Sequence, residues 1–175
     1  MKEAAQTAAI GPADFVDGVL AQWQQEKPAL DTRAMGTAGR LKRSAALMQR
    51  QMDQLFARYD LSSWEFDVLA TLRRAGAPYC LAPTALFSAL MLASGTMTRQ
   101  LQQLENRGLV CRIANPQDAR SLLVQLSENG LTLIDEAIEA HTRNLQHILS
   151  PLSDAQRTAL DQGLSALLPM LEQTS

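Results

Sequence analysis

Aromatic residues are scarce in this sequence: four Phe, two Tyr and two Trp make up 5% of 175 residues, although 46% of the chain is apolar. Its interior must therefore be largely aliphatic. No segment approaches the roughly 18 uninterrupted apolar residues of a membrane helix, so a soluble protein with no membrane partner is expected. The opening stretch MKEAAQTAAIGPADF lacks both the long apolar core and the basic lead of a secretory signal. It reads as a short disordered lead, residues 1–12, of a cytoplasmic protein. Cysteine is limited to Cys80 and Cys111, which fit no CxxC pattern. Without an export signal they are expected to be reduced, either as small packing residues or as redox sensors. Histidine is limited to His141 and His147, six residues apart in a helical stretch rather than at the i, i+4 spacing of a metal pair. No glycine-rich phosphate loop or nucleophile motif occurs. An enzyme is not expected, nor a metal site, nor a cofactor.

A strong excess of one charge is also missing. Sixteen Lys and Arg oppose eighteen Asp and Glu, for a net charge of −2, which is a poor overall footprint for a nucleic-acid-binding domain. The distribution is uneven, however. Between Ser94 and Leu126, Arg99, Arg107, Arg112 and Arg120 face only Glu105 and Asp118, and the last third of the chain is acidic.

What is present is helical periodicity. Phe15, Val16, Val19, Leu20 and Trp23 mark a short first helix that Pro28 stops. Leu41, Ala45, Met48, Met52, Leu55, Phe56 and Tyr59 mark a long one from about Arg33 to Tyr59, with Arg40, Lys42, Arg43 and Arg50 on its polar face. Ser62 and Glu65 form a capping box ahead of a third helix, which the Ala-Gly-Ala-Pro run at 75–78 ends. Pro83 is placed to start a fourth, with Leu86, Phe87, Leu90 and Met91 on its apolar side. After a Ser94-Gly95 break, Met97, Leu101 and Leu104 form the buried face of a fifth helix that Gly108 terminates. Leu109–Ala114 and Leu122–Leu126 are β-favouring runs joined by the polar tip Asn-Pro-Gln-Asp-Ala-Arg-Ser. Ser127 then opens a long helix through Leu131, Ile134, Ile138, His141, Leu145 and Ile148, which Pro151 interrupts. Ser153 and Gln156 cap a last helix carrying Leu160, Leu164, Leu167, Leu168 and Leu171. The expected organisation is 1–12 lead, 13–60 extra helix and dimerisation helix, 61–127 DNA-binding domain, and 128–175 C-terminal dimerisation helices.

Two short helices across a tight turn, followed by a hairpin, make a winged helix-turn-helix, in which the second helix enters the major groove. The expected fold is thus mainly α with a small β-hairpin wing and long N- and C-terminal dimerisation helices. Ser94, Thr96, Thr98, Arg99, Gln102 and Gln103 carry the short or planar hydrogen-bonding groups that read base edges and phosphates. Arg120 at the hairpin tip suits a narrow minor groove, with Asp118 beside it as support. Two alternatives remain open: a winged-helix module for protein contacts, and a DNA-binding repressor that senses thiol oxidation through Cys80 or Cys111.

The stretch LSSWEFDVLATLRRAGAPYCLAPTALFSALMLASGTMTRQLQQLENRGLVCRIANPQDARSLLVQLSENG, from Leu61 to Gly130, resembles the MarR family of transcriptional regulators. SGTMTRQLQQLENRGLV and NPQDAR followed by LVQLSENG are its most specific parts. The family usually has two arginines after the wing aspartate, and here Ala119 stands in place of the first. The resemblance implies an obligate homodimer whose terminal helices interlock, setting two recognition helices on a pseudo-palindromic operator in double-stranded DNA, usually as a repressor relieved by ligand. The extra first helix, EFDVLATLRR and GAPYCLAPTAL are similar to the urate-responsive branch. There the ligand site joins an aromatic residue of the added helix, an acid and an arginine of the second core helix, and an arginine of the recognition helix. Trp23, Asp67 and Arg74 match the first three. At the fourth this chain has Gln100, with Arg99 one place earlier and about 100° round the helix, which weakens the case for urate and leaves a different aromatic effector as an alternative.

Overall fold

The structure, a computed structural model, describes residues 13–90 and 97–173. The N-terminal lead, Met91, the Ser94-Gly95 turn and Thr96 lie outside the described residues. The chain divides into two compact units, one ending at Arg50 and one starting at Gln51.

In the first unit, helix α1 (Phe15–Glu26) is fixed at its start by Asp14, whose carboxylate accepts the Val16 and Asp17 amides at 2.7 and 3.0 Å while the Asp17 carboxylate accepts the Asp14 amide. The box satisfies N–H groups that have no partner within the first turn. Helix α2 (Arg33–Phe56) begins after the connector. Two of its glycines allow close approach of α1. A Cβ on Gly36 would stand 3.2 Å from Leu20 Cδ1, and one on Gly39 would stand 3.2 Å from Val16 Cγ1. Arg40 joins the helices electrostatically, bonding Asp14 at 2.8 Å and Asp17 at 2.5 Å.

The second unit opens with the last turns of α2 and a 3-10 turn over Ala57–Tyr59, which Asp60 ends in the left-handed region at φ 53°. Helices α3 (Ser63–Arg74), α4 (Pro83–Leu90) and α5 (Met97–Asn106) follow, and α6 (Glu128–Leu149) and α7 (Asp154–Glu172) close the chain. The start of α6 is capped by Ser127, whose hydroxyl accepts the Gly130 amide at 2.9 Å.

The sheet differs from expectation in two ways. It has three antiparallel strands in the order β1-β3-β2, because Cys80–Leu81 forms a short strand β1 beside β3 (Asp118–Leu126). Strand β2 runs over Val110–Asn115. β3 starts at Asp118, so the turn is far shorter than the seven-residue polar tip read from the sequence. Asn115 and Ser121 side chains bond at 2.9 Å, and Asn115 Oδ1 accepts the Gln117 amide at 3.0 Å, so polar residues that look like loop hold the end of the ladder instead.

Val68, Leu69, Leu72, Leu86, Leu104, Val124 and Ile134 are fully buried, joining α3, α4, α5, the sheet and α6 in one core. At about 1.5–3 kcal/mol for each fully buried large aliphatic side chain, this cluster fixes the second unit. α7 has no buried residue, and Leu160, Leu164, Leu168 and Leu171 remain 39–57% exposed along it.

Candidate nucleic-acid interface and ligand cavity

Helix α5 separates its faces sharply. Leu101 and Leu104 are 4% and 0% exposed, while Thr98, Arg99, Gln102 and Gln103 all face solvent. Gln100, where the urate-responsive pattern has arginine, is half-buried. The Gln102 amide donates to Asn106 one turn on, at 3.1 Å, which orders it along the helix. The helix stops at Gly108, whose φ of +67° turns the chain into β2. Ser94 and Thr96, the other expected DNA contacts, lie outside the described residues.

At the wing, the Asp118 carboxylate accepts the backbone amide of Arg120 at 3.0 Å. The expected support is therefore backbone support: Asp118 sets the local turn and makes no ion pair with the guanidinium. Arg120 is exposed and has no ion pair among the described residues. The basic character read across residues 94–126 also needs correction. Arg107 is bound to Glu65 and Asp60, and Arg112 lies 3.3 Å from Glu105. That leaves Arg99 and Arg120 as the arginines of this segment without an ion pair among the described residues.

Asp67 and Arg74 both line a cavity of about 520 Å³ between α3, α4 and α6. They stand on one side of α3, as their seven-residue spacing requires, and no ion pair joins them among the described residues. It is Arg73 that pairs, with Asp135 of α6 at 2.6 Å, its guanidinium also lying 4.8 Å from the Tyr79 ring centroid. The cavity floor is apolar, built by Phe66, Ala70, Leu90, Ile134 and Ile138. Burial pushes the Asp67 carboxyl above its usual range, and His141 and Arg74 only partly oppose it. Trp23 sits on α1 in the first unit and is 39% exposed.

The cavity includes one residue that sequence reasoning left unassigned. His141 lines it, with its ring 5.0 Å from Phe66 and 5.4 Å from Phe56, themselves stacked at 4.1 Å. Its Nδ1 is buried without a hydrogen-bond partner among the described residues, and burial lowers its pKa despite the opposing charge of Asp67. The available signal was an ionisable residue on the apolar stripe of α6.

Cys80 and Cys111 are both half-buried and both register with Gln125 of β3, one from each side. With a strand between them their Cα atoms are about 10 Å apart, beyond disulfide reach. Oxidative closure between these two thiols within one chain is excluded by the register.

Short helices α4 and α5 followed by the β2–β3 hairpin define a winged-helix protein of mainly helical class. The residues from 61 to 122 match the model of the MarR family. The chain is 41% identical over 145 residues to the HTH-type transcriptional regulator PecS of Dickeya dadantii, spanning 83% of this chain and 87% of that one. It is 28% identical over 134 residues to the multiple antibiotic resistance protein MarR of Escherichia coli, spanning 74% and 91%. This chain belongs to the MarR family, whose members matched here are transcriptional regulators and not enzymes. Among solved structures it resembles wild-type apo MarR from E. coli, with TM-score 0.63, 27% identity, and 75% and 96% coverage. A mutant of that protein in complex with operator DNA has TM-score 0.67, 24% identity, and 90% and 100% coverage. Among the described residues no helix is long and apolar enough to cross a membrane.

Proposed function

We propose that this chain is a homodimeric repressor that reads a pseudo-palindromic operator through α5 and the wing and is released by a small aromatic anion. The observation that carries the DNA reading is the α5 face. Thr98, Arg99, Gln102 and Gln103 are exposed together without a carboxylate among them, and on the wing Arg120, which stands on β3 past the Pro116-Gln117 turn and not at the tip itself, is unpaired among the described residues. Ser94 and Thr96, at the start of the reading segment, extend the same chemistry. Arg and Gln match guanine and adenine in the major groove, and Arg120 suits the negative potential of a narrow minor groove. The matched E. coli regulator, of the same fold, has been solved with operator DNA.

Dimerisation follows from the exposed leucines of α7, since twofold association is the commonest way to cover a stripe of that size. A dimer that reads one face of the duplex holds its recognition helices about 34 Å apart. The ligand reading rests on the cavity beside Asp67 and Arg74: an apolar floor for a flat ring, with Arg74 and the His141 imidazole as polar contacts. Trp23 is the aromatic partner that the family resemblance suggests, and Gln100 argues for an aromatic anion that does not require a second arginine.

The test is a fluorescence-anisotropy titration of the full chain against its own upstream intergenic DNA and a scrambled duplex at fixed salt, with and without urate and a panel of aromatic acids. Selective binding that a compound reverses, with the reversal lost in Arg74→Gln and Trp23→Leu, supports the whole reading. Selective binding that no compound disturbs removes the ligand. Equal weak binding to both duplexes favours the protein-contact module.

A further inference from the structure

Arg107 follows the last residue of α5 and makes three charge-assisted bonds. Nη1 donates to Glu65 at 2.6 Å, and Nη2 donates to both the Asp60 backbone carbonyl and the Asp60 carboxylate, at 2.6 and 2.9 Å. Glu65 is itself held. Its side chain is only 10% exposed, and its second oxygen accepts the Ser62 amide at 2.8 Å and the Ser62 hydroxyl at 2.7 Å. The guanidinium thus bridges the end of α5 to the first turn of α3 and to the left-handed residue that ends the 3-10 turn after α2.

The other fixings of α5 are less directional. Leu101 and Leu104 are buried aliphatic contacts, which resist separation but permit sliding and rotation. The Glu105–Arg112 pair is longer, at 3.3 Å. A forked guanidinium with two anchored acceptors holds both position and angle. Thr98 lies nine residues before Arg107, about 13 Å along a helix axis. A tilt of about 5° at the Arg107 end therefore moves Thr98 by about 1 Å, several times what a base-edge hydrogen bond tolerates.

We propose that Arg107 is the positioning residue that sets the pose of the recognition helix, acting through Glu65 and Asp60. Its effect falls on sequence discrimination and leaves general affinity for the duplex alone. This rests on α5 being the reading helix, as proposed above.

The test uses the full chain and the variants Arg107→Lys and Asp60→Asn, titrated against the operator-bearing upstream DNA and a scrambled duplex across a salt series. Lysine keeps the charge but cannot reach Glu65 and Asp60 together. The Asp60 side chain is 96% exposed, so its replacement removes the charge of that acceptor at little cost to the fold, and the Asp60 backbone carbonyl stays bonded to Nη2. Arg107→Lys is expected to weaken operator binding by about fivefold or more with the scrambled duplex and the salt slope unchanged, and Asp60→Asn to move the same ratio less. An unchanged operator-to-scrambled ratio, even with a lower melting temperature, overturns the proposal in favour of a purely structural tie. Equal losses on both duplexes make Arg107 a phosphate contact instead, since lysine keeps the charge but not the forked geometry. A wild-type chain that does not discriminate between the duplexes overturns the DNA-reading assignment itself, whereas a selective wild type with equally selective variants overturns only the role of Arg107.

Discussion

Replacing Gly130 with alanine should destabilise this protein by about 2–4 kcal/mol, against the usual gain from putting alanine in a helix. A Cβ at Gly130 would lie 1.9 Å from the Leu109 carbonyl oxygen and 2.9 Å from its carbon. Ordinary contact begins near 3.4 Å, so the N-terminal turn of α6 must retreat by more than 1 Å. It is not free to do so. Ser127 donates its amide to Leu109 O at 3.1 Å and its hydroxyl to Gly108 O at 2.6 Å, and the same hydroxyl caps Gly130. Retreat costs the cap, about 1 kcal/mol, a backbone hydrogen bond of about 1 kcal/mol, and about 1–3 kcal/mol of strain or lost packing. The alanine returns about 1 kcal/mol of helix propensity. For a chain of this size the net change lowers the melting temperature by about 5–15 °C, measured by circular dichroism at one protein concentration, since a dimer's melting depends on it. Gly18→Ala on α1 is the matched control: nothing lies within 4 Å of its added Cβ, and it should gain about 0.5–1 kcal/mol. A Gly130→Ala cost below about 1 kcal/mol would refute the close approach and the reasoning from it.

Arg120→Ala should reduce operator affinity and the salt slope by about 1 with a near-uniform loss across sequences if the wing binds phosphate, whereas a loss confined to A·T-rich sites marks minor-groove reading; anisotropy on two operator variants separates these. Asp67→Asn should raise stability slightly at pH 7, by no more than about 0.5 kcal/mol after solvent screening, because burial disfavours the carboxylate. The gain should vanish below the unfolded pKa, where the acid is neutral in both states, and urea titrations at pH 7 and pH 3.5 would show it. Glu65 behaves oppositely. Burial raises its pKa, but Ser62 and Arg107 outweigh it and hold the group below its usual 4.5. Its stabilisation is present above that value and lost as pH falls through the lowered one, so Glu65→Gln should flatten the acid limb of the stability curve. Leu168→Lys on the exposed face of α7 should shift the sedimentation coefficient toward monomer; an unchanged dimer would remove α7 from the interface.

Much of the fold is written in local signals. Asp14, Ser62, Ser127 and Ser153 each stand at a helix start, Gly108 stops α5, and Pro83 opens α4, because capping and φ restrictions act within a few residues. The reading face of α5 was legible for the same reason, being a matter of 3.6-residue periodicity. β1 was not legible: two residues cannot show alternation, and Cys80 and Leu81 become a strand only through pairing with Gln125 and Val124 far along the chain. The wing was misjudged because polar Asp118 and Ser121 sit at ladder positions stabilised by contacts with Asn115 and with each other. Nor can a single sequence separate free from committed charge. Arg107 and Arg120 look equivalent in a row of arginines, yet one is bound to residues 42 and 47 positions away and the other has no ion pair among the described residues.

The short β1 strand has a mechanical consequence for the wing. β3 is held from both sides at Val124, Gln125 and Leu126, the last through its amide's 3.1 Å bond to the Tyr79 carbonyl, and Gln125 Nε2 is further fixed to the Pro78 carbonyl at 2.8 Å. Beyond that root the strand pairs with β2 alone, and Arg120 stands four residues past Val124, about 13 Å. The wing is a cantilever: stiff where it leaves the domain and compliant where it carries its charge. A small rotation at the root is magnified toward the far end of the hairpin, so that changes at Pro78 or Gln125 should alter the position of Arg120 without touching it.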